Sequence, residues 1–376
     1  MPWKEDETIT IGDSKMKILC LVEDYPSCTN QYPMAFVHAR NLVYVENSID
    51  VEVLSFSSKK AYIYEEIKVI TEQEAEKHME KYDIIISHAV NLKNHVRFLL
   101  KNIFDVKKIM FFFHGHEIMA INKEYPKPFE FMKPNFYNYI FRSVYDKFKL
   151  KALKYIFFYL SRYKTVKFIF VSNWMQNIFE KNIGLKNIDK YVINNNINYH
   201  FANKKYNVKE KKDADFITIR PLDQSKYCID LVVKLAQKYP QFKFDVYGSG
   251  MYFNHNYKPE NIKLESKDFS SKELTLLLSK YKCAIMPTRL DAQGVMVCEM
   301  ASFGIPIITS DIEICREMLC EFPNIGFLNN NCVEQFDLEL FFNSITFDNK
   351  YVENNKFSLE NTVNREIQLI QKFSIS

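Results

Sequence analysis

Residues 287–311 read PTRLDAQGVMVCEMASFGIPIITSD, and this stretch decides the fold. It follows a short apolar run at residues 283–286, passes through a loop, continues as a predicted helix rich in small residues and ends in a second apolar run at 305–309. Buried strands joined by helices indicate a parallel sheet covered on both faces. Ligands bind such sheets at the carboxyl ends of the strands, so the loop before the helix is a candidate site.

That loop carries residues suited to phosphate and hydroxyl groups. Gly294 lies near the expected helix start, where backbone N–H groups and the helix dipole can hold a phosphate, and Val295 follows it. Asp291 can accept hydrogen bonds from sugar hydroxyls, and Glu299 can accept both hydroxyls of a ribose. We predict a catalytic role for Asp291 and substrate binding by Gly294, Val295 and Glu299.

The same alternation extends to both sides of this stretch. Apolar runs that predict strands lie at residues 17–22, 51–56, 83–87, 108–113 and 167–171, and then at 216–219 and 242–247. The polar stretch 203–213, NKKYNVKEKKD, separates the two sets. We predict an α/β fold of two Rossmann-like, doubly wound domains that face each other across a cleft.

The predicted organisation has four parts. Residues 1–15 are polar and are expected to be a disordered leader. An N-terminal acceptor domain covers 16–203 and a C-terminal donor domain covers 204–350. Residues 351–376 are predicted to form a C-terminal helix that packs back on the N-terminal domain.

Composition narrows the class of protein. The 376 residues are 47% hydrophobic and 26% charged, with a net charge of +4. This fits a globular protein and argues against a nucleic-acid-binding one. No apolar run has the roughly 18 residues of a membrane span, and residues 1–15 lack the apolar core of a signal peptide. The eight cysteines form no CxxC pair, so we expect reduced, buried core thiols in a cytoplasmic protein without a metal site.

Further candidate residues follow other predicted strands. Arg220 and Lys226 come after the first strand of the second domain, where two cations suit a departing pyrophosphate, and we predict both as catalytic. Gly248 and Gly250 form a Gly-x-Gly turn expected to shape the substrate pocket. In the first domain, His114 ends an apolar strand and should face the cleft. We predict His114 as catalytic, and His116 and Glu117 as substrate-binding.

The pattern at 287–311 resembles the donor-site motif of the GT-B retaining glycosyltransferases of family 4. Asp291, Gly294, Glu299, Gly304 and Pro306 fall on that motif in order, with aspartate at 291 where the family usually has glutamate. The resemblance covers about residues 16–328. It implies a GT-B fold, retention of anomeric configuration, no metal or other cofactor, and a histidine beside the transferred sugar, which maps to His114. It also matches residues 171–173 and 193–198 to loops that join the domains.

Residues 127–167 carry ten lysines or arginines and only two acids, with Phe and Tyr interleaved. A basic aromatic surface of this kind can rest on anionic lipid on the cytoplasmic face of a membrane. The alternative is that the aromatics pack into the domain core while the lysines are simply solvated. The sequence leaves these two readings open.

These observations predict a glycosyltransferase that moves a sugar from a nucleotide diphosphate sugar to a hydroxyl acceptor. The acceptor is expected to be a glycan or a lipid-linked glycan in surface polysaccharide synthesis, and no nucleic-acid partner is expected. Two alternatives remain open, a nucleotide-sugar epimerase and a non-catalytic partner subunit of an active transferase.

Overall fold

The computed structural model describes residues 16–31, 33–267, 269–346 and 354–375. The predicted leader, residues 1–15, lies outside the described residues, and so does the predicted boundary at 350.

The first sheet, counted over the described residues, has eight strands. They are β1 (Lys17–Val22), β2 (Asp50–Ser55), β3 (Tyr62–Tyr64), β4 (Ile67–Ile70), β5 (Ile84–His88), β6 (Lys108–Phe113), β7 (Thr165–Phe170) and β8 (Lys190–Val192). Their order is β3-β4-β2-β1-β5-β6-β7-β8. Neighbours pair in parallel except β3 and β4, which form an antiparallel edge.

The second sheet has six strands within the described ranges. They are β9 (Ala214–Ile219), β10 (Phe244–Tyr247), β11 (Ile262–Glu265), β12 (Tyr281–Ile285), β13 (Ile307–Ser310) and β14 (Ile325–Leu328). Their order is β11-β10-β9-β12-β13-β14, and every pair is parallel.

Helices connect the strands and cover both sheets. They are α1 (Ala35–Glu46), α2 (Glu72–Glu76), α3 (Arg97–Lys101), α4 (Ile121–Glu124), α5 (Phe136–Tyr163), α6 (Asn173–Asn182), α7 (Tyr199–Asn203), α8 (Ile229–Lys238), α9 (Tyr252–His255), α10 (Ser271–Leu278), α11 (Val295–Phe303), α12 (Glu313–Leu319), α13 (Leu338–Ser344) and α14 (Val363–Ile375). Short 3₁₀ turns lie at Met79–Lys81, His116–Ile118, Glu130–Met132, Ser225–Tyr227 and Val333–Gln335, and a π-helical turn at Leu92–Val96.

Strand β6 shows why the apolar runs become central strands. Its sequence is KIMFFF, and side chains of a strand point alternately to opposite faces. Ile109 and Phe111 therefore pack in one core cluster, and Met110 and Phe112 pack in the cluster on the other face. A strand buried on both faces needs an unbroken apolar run. The predicted α/β fold is confirmed, with a second sheet that is parallel throughout and a first sheet that is parallel except for its β3–β4 edge.

The C-terminal segment returns to the first domain. Phe357 packs in the core of the second domain, whereas Val363, Ile367 and Ile370 of α14 pack against the first sheet. Within that contact the guanidinium of Arg40 donates from Nε to both carboxylate oxygens of Glu366, at 3.0 and 3.1 Å. Both side chains are fully buried, so the charges are compensated inside the core.

The cysteine prediction holds for five of the eight thiols. Cys20, Cys228, Cys283, Cys298 and Cys315 are buried. Cys28 and Cys320 are exposed and Cys332 is half-buried, so the prediction of a core position is wrong for these three. Cys28 lies in the polar loop after β1 and Cys320 just beyond α12, where no sheet covers them.

Helix α5 packs one narrow face on the first domain and exposes the rest. Asp146, Lys149, Leu153, Phe157 and Leu160 form its buried stripe at helical spacing. Its exposed large side chains are Phe136, Tyr137, Tyr139, Ile140, Phe141, Val144, Tyr145, Phe148, Tyr155, Phe158, Tyr159 and Tyr163. The alternative in which these aromatics fill the core is therefore wrong, because a helix lying on a domain buries only one face. No helix in the described part of the chain is long and apolar enough to cross a membrane.

Candidate functional site

The carboxyl ends of the second sheet enclose a cavity of about 460 Å³. Its walls come from the residues that follow β9, β10 and β12, together with α11 and α12. Five of the predicted site residues line it: Arg220, Gly248, Asp291, Gly294 and Val295. Ile219, Tyr247, Met286 and Ile314 add an apolar lining. A mostly apolar pocket with a few polar groups is the usual form of a small-molecule site.

The loop before α11 is held by Asp291. Its Oδ1 accepts hydrogen bonds from the backbone N–H groups of Ala292 at 2.8 Å and Gly294 at 2.9 Å. Gly294 has φ 72°, a left-handed conformation that glycine adopts without strain. The first free amides of α11 are those of Val295 and Met296, which donate no hydrogen bond within the described residues. Since both residues line the cavity, the positive end of the helix opens into it.

Arg220 lies in the wall, and its side chain is 6% exposed. Its Nη1 donates to the backbone carbonyls of Tyr227 and Pro287, while Nε is buried and has no partner among the described residues. Burial lowers the pKa of the guanidinium to about 10, so it remains charged at neutral pH. Arg220 therefore supplies a fixed positive charge to the cavity and also ties two of its loops together.

The Gly-x-Gly turn after β10 leaves no room for side chains. A Cβ on Gly248 would lie 1.9 Å from the carbonyl oxygen of Arg220, and one on Gly250 would lie 2.8 Å from Oδ1 of Asp223. Gly248 lines the cavity, and Gly250 supports the loop beside it. The two glycines allow the β9 and β10 loops to approach each other closely.

Lys226 lies at a second opening, outside this cavity. Its Nζ is 5.6 Å from the ring centre of Tyr125, a first-domain residue, and 4.6 Å from that of Tyr227. Tyr227 lines the 460 Å³ cavity, so adjacent residues face two different spaces. Burial raises the pKa of Tyr125. The charge of Lys226 lowers this pKa, and the charge of Asp291 raises it. The first domain therefore contributes Tyr125 beside the predicted catalytic lysine.

His114 is half-buried and pairs with the buried His88 rather than lining the cavity. Its Nε2 is 3.0 Å from Nδ1 of His88, the last residue of β5, and its Nδ1 is buried with no partner in the described part of the chain. Burial lowers the pKa of both imidazoles well below the usual value, so both are neutral at neutral pH. The adjacent Gly115 faces the loop before α11, since a Cβ placed on it would lie 3.9 Å from Cβ of Ala292.

Glu117 and His116 occupy different environments after this turn. Glu117 is buried, and its Oε1 accepts a hydrogen bond from the backbone N–H of His114. His116 is exposed, and its backbone carbonyl accepts a hydrogen bond from Nζ of Lys149 at 3.2 Å. Glu117 therefore fixes the backbone turn that carries His114.

Glu299 lies one turn into α11 and is not among the residues that line the cavity. Its Oε1 accepts a hydrogen bond from the backbone N–H of Asn198 at 3.0 Å. Burial raises the pKa of this carboxyl to about 7, an effect that the Asn198 hydrogen bond partly opposes. The second oxygen, Oε2, accepts no hydrogen bond from the described residues.

The loop before α11 and helix α12 are both anchored to the first domain. Gln293 accepts from the backbone N–H of Asn195 at 2.6 Å and donates to its carbonyl at 2.9 Å. Ser172 donates to the carbonyl of Ala292 at 2.7 Å. Glu317 of α12 accepts hydrogen bonds from the first backbone amides of α6. These contacts use the stretches 171–173 and 193–198.

The structure adds residues that the sequence did not single out. Tyr125 and His88 stand beside Lys226 and His114, and Lys267 lines the cavity near Tyr247. No motif marks them, since each reaches the site through a contact between distant segments. Among the described residues, no group of three His, Cys, Asp or Glu side chains is arranged to hold a metal ion.

Comparison with known proteins identifies the fold. No protein-family model and no curated protein matches the chain. Among solved structures it is similar to sucrose-phosphate synthase from Thermosynechococcus elongatus, at 12% identity and a TM-score of 0.65 over 96% of this chain and 100% of that one. A glycosyltransferase from Rickettsia africae is 15% identical with a TM-score of 0.65, and the match covers 96% of this chain and 99% of that one. HepE from Anabaena, solved with UDP and glucose, is 12% identical with a TM-score of 0.65, and the match covers 95% of this chain and 99% of HepE. The predicted GT-B fold is confirmed.

Proposed function

We propose that the chain is a glycosyltransferase that binds a nucleotide diphosphate sugar in the second-domain cavity. The observation that carries this proposal is the opening of the α11 N-terminus into a cavity that also contains the buried cation Arg220. Free amides, a helix dipole and a fixed positive charge together suit a diphosphate. The shared fold of HepE, solved with UDP and glucose, supports the same choice of ligand.

Residues of the cavity wall and two neighbours outside it, Lys226 and Glu299, have different roles in this proposal. The amides of Val295 and Met296 and the charge of Arg220 hold the diphosphate, and Lys226 stabilises the negative charge that develops on it. The free carboxylate oxygens of Asp291 and Glu299 accept hydrogen bonds from hydroxyl groups of the sugar and the ribose, respectively. The bond from sugar C1 to the diphosphate oxygen breaks, the acceptor hydroxyl oxygen forms the new bond to C1, and the hydroxyl proton passes to the departing diphosphate oxygen. The family-4 resemblance supports retention of configuration without a metal.

His114 has a narrower role in this scheme. As a neutral imidazole it offers a hydrogen bond to the sugar rather than a charge, because its pKa lies well below neutrality. Its buried Nδ1 has no partner within the described residues and is the atom free to make that bond.

We further propose that the acceptor is a glycan or lipid-linked glycan at the cytoplasmic face of a membrane. Helix α5 supports this with its exposed aromatic side chains and with Lys147, Lys151 and Lys154, which are also exposed. Lysines and aromatics on one surface favour anionic lipid. Lys149 is not part of this surface, because it is buried and donates to the carbonyls of His116 and Met119.

A two-step assay tests the proposal. A thermal-shift screen of nucleoside diphosphates and their sugars identifies the donor, because ligand binding stabilises the folded protein. Incubation with that donor should release sugar slowly, and Lys226→Ala should slow release by about 100-fold, whereas Lys234→Ala on the exposed face of α8 should not. Formation of an epimer without release would favour an epimerase. Nucleotide binding with neither reaction would favour a non-catalytic partner.

A further inference from the structure

We propose that a groove beside Lys226 is the acceptor site, and that it takes an apolar chain joined through a phosphate to the group that is glycosylated. This inference rests on the proposed transferase function. The groove has a volume of about 770 Å³ and lies between residues 121–139 of the first domain and 223–226 of the second. That volume is within the range of small-molecule sites.

One wall of the groove is a segment that bridges the two domains, residues 126–134, which we call the strap. On the second domain, Phe129 packs on Tyr252 with ring centres 5.0 Å apart, and Phe131 stacks on His255 at 4.6 Å. On the first domain, the strap runs into α5, whose start is held by Asn122 donating to the carbonyl of Tyr139 at 2.7 Å. Because both ends are fixed, the groove is already formed before a ligand enters.

The lining of the groove is apolar with a positive rim. Met132 is 44% exposed and Phe136 72% exposed, although both are large apolar side chains, and three prolines of the strap stiffen the wall. Lys127 and Lys226 also line it, and neither forms an ion pair with a carboxylate of the described residues. Lys133 is paired with Glu130 at 2.5 Å. An apolar chain fits the wall, and a phosphate fits the two unpaired lysines.

The position of the groove assigns it to the acceptor. Lys226 lines the groove and the adjacent Tyr227 lines the donor cavity, so the two spaces are one residue apart. A phosphate held by Lys226 places the attached acceptor group next to the donor sugar. At the other end, Phe136 and Tyr139 continue into the exposed aromatic face of α5. The apolar chain can therefore leave the groove directly toward lipid.

Titration calorimetry with octyl phosphate, n-octanol and inorganic phosphate tests this assignment. We expect octyl phosphate to bind more tightly than either partial probe, because it alone has both the chain and the charge. Met132→Glu and Lys127→Glu should each weaken its binding by about tenfold. The matched changes Phe148→Glu and Lys147→Glu, on α5 outside the groove, should leave it unchanged.

Binding of the nucleoside diphosphate found in the donor screen is measured in the same proteins. If it binds while octyl phosphate does not, or while the groove variants bind octyl phosphate as the wild type does, the acceptor assignment is wrong and the donor site stands. Equal weakening by Phe148→Glu would place the probe on the α5 face and also overturn the groove. If no nucleoside diphosphate binds, the proposed function itself fails.

Discussion

Asp291 holds the loop before α11 in its conformation. The motif predicts an acidic residue for sugar hydroxyls and a glycine amide for phosphate. In the structure, Oδ1 of Asp291 accepts the Gly294 amide and so holds the loop in the conformation that frees the next two amides. Its Oδ2 accepts no hydrogen bond from the described part of the chain. One carboxylate therefore both shapes the loop and remains available to a ligand.

Glu299 should make the stability of the protein depend on pH. Its pKa is about 7 in the folded protein, against an ordinary value of 4.5, so the fold favours the protonated form. Its contribution to the free energy of unfolding is full below pH 4.5 and is lost as the pH rises through 7, by up to about 3 kcal/mol. Glu299→Gln should raise the melting temperature at pH 8 and change it little at pH 5.

The matched control is Glu46→Gln, because Glu46 is exposed, and this change should shift the melting temperature equally at both pH values. An equal shift for Glu299→Gln would mean that its carboxyl is not held protonated by the fold. Saturating nucleotide should reduce the gain at pH 8 if Glu299 also binds the ribose, because the ligand then favours the charged form.

The sequence could identify site residues that follow predicted strands, but it could not give the contacts between distant segments. Asp291, Gly294 and Val295 lie within five residues and were predicted together. The contact of Gln293 with Asn195 joins residues 98 positions apart, and only the folded chain sets its geometry. The orientation of Arg220 could not be predicted either. Its guanidinium donates to the carbonyls of Tyr227 and Pro287, and only the folded chain brings these groups together.

Among the secondary-structure elements, the central strands were predictable and the edges were not. The sequence predicts β1 and β6 with the bounds that the structure has, because an unbroken apolar run marks each one. Strands β3, β4, β8, β11 and β14 were missed. Each is only three or four residues long, and all except β4 lie at a sheet edge, where a strand has less to bury.

Helix α5 gives a prediction about membrane binding. Wild-type protein should sediment with anionic vesicles at low salt and be released as salt rises, because each basic residue near such a surface contributes about 1 kcal/mol. Changing Lys147, Lys151 and Lys154 together to Glu should abolish sedimentation. The three changes leave the buried Lys149 in place, so the packing of α5 on the domain is preserved.

The matched control changes Lys209, Lys211 and Lys272 to Glu, three exposed lysines of the other domain that give the same change in net charge. It should still sediment with the vesicles. Equal loss in both triple variants would trace the binding to overall charge, and wild-type protein that stays in the supernatant would point to a soluble acceptor.

For the molecule as a whole, α14 links the end of the chain to its beginning. The chain passes from the first domain to the second and returns, so the domains are joined by two connections. Glu366→Ala removes the partner of a fully buried arginine and should cost about 3–5 kcal/mol of unfolding free energy in urea denaturation. The double change Arg40→Met with Glu366→Leu should recover most of it. A loss below about 1 kcal/mol in the single variant would show that α14 is not held by this pair.

Hydrogen–deuterium exchange with a saturating nucleoside diphosphate tests most directly whether the second domain holds the donor. The geometry predicts slower amide exchange at residues 290–298, 219–227 and 247–250, which surround the cavity, and little change at residues 17–113 of the first sheet. Val295 and Met296 should show the clearest protection, because their amides have no acceptor until the diphosphate arrives. Protection confined to the first domain, or none under conditions where calorimetry shows binding, would contradict the proposed donor site.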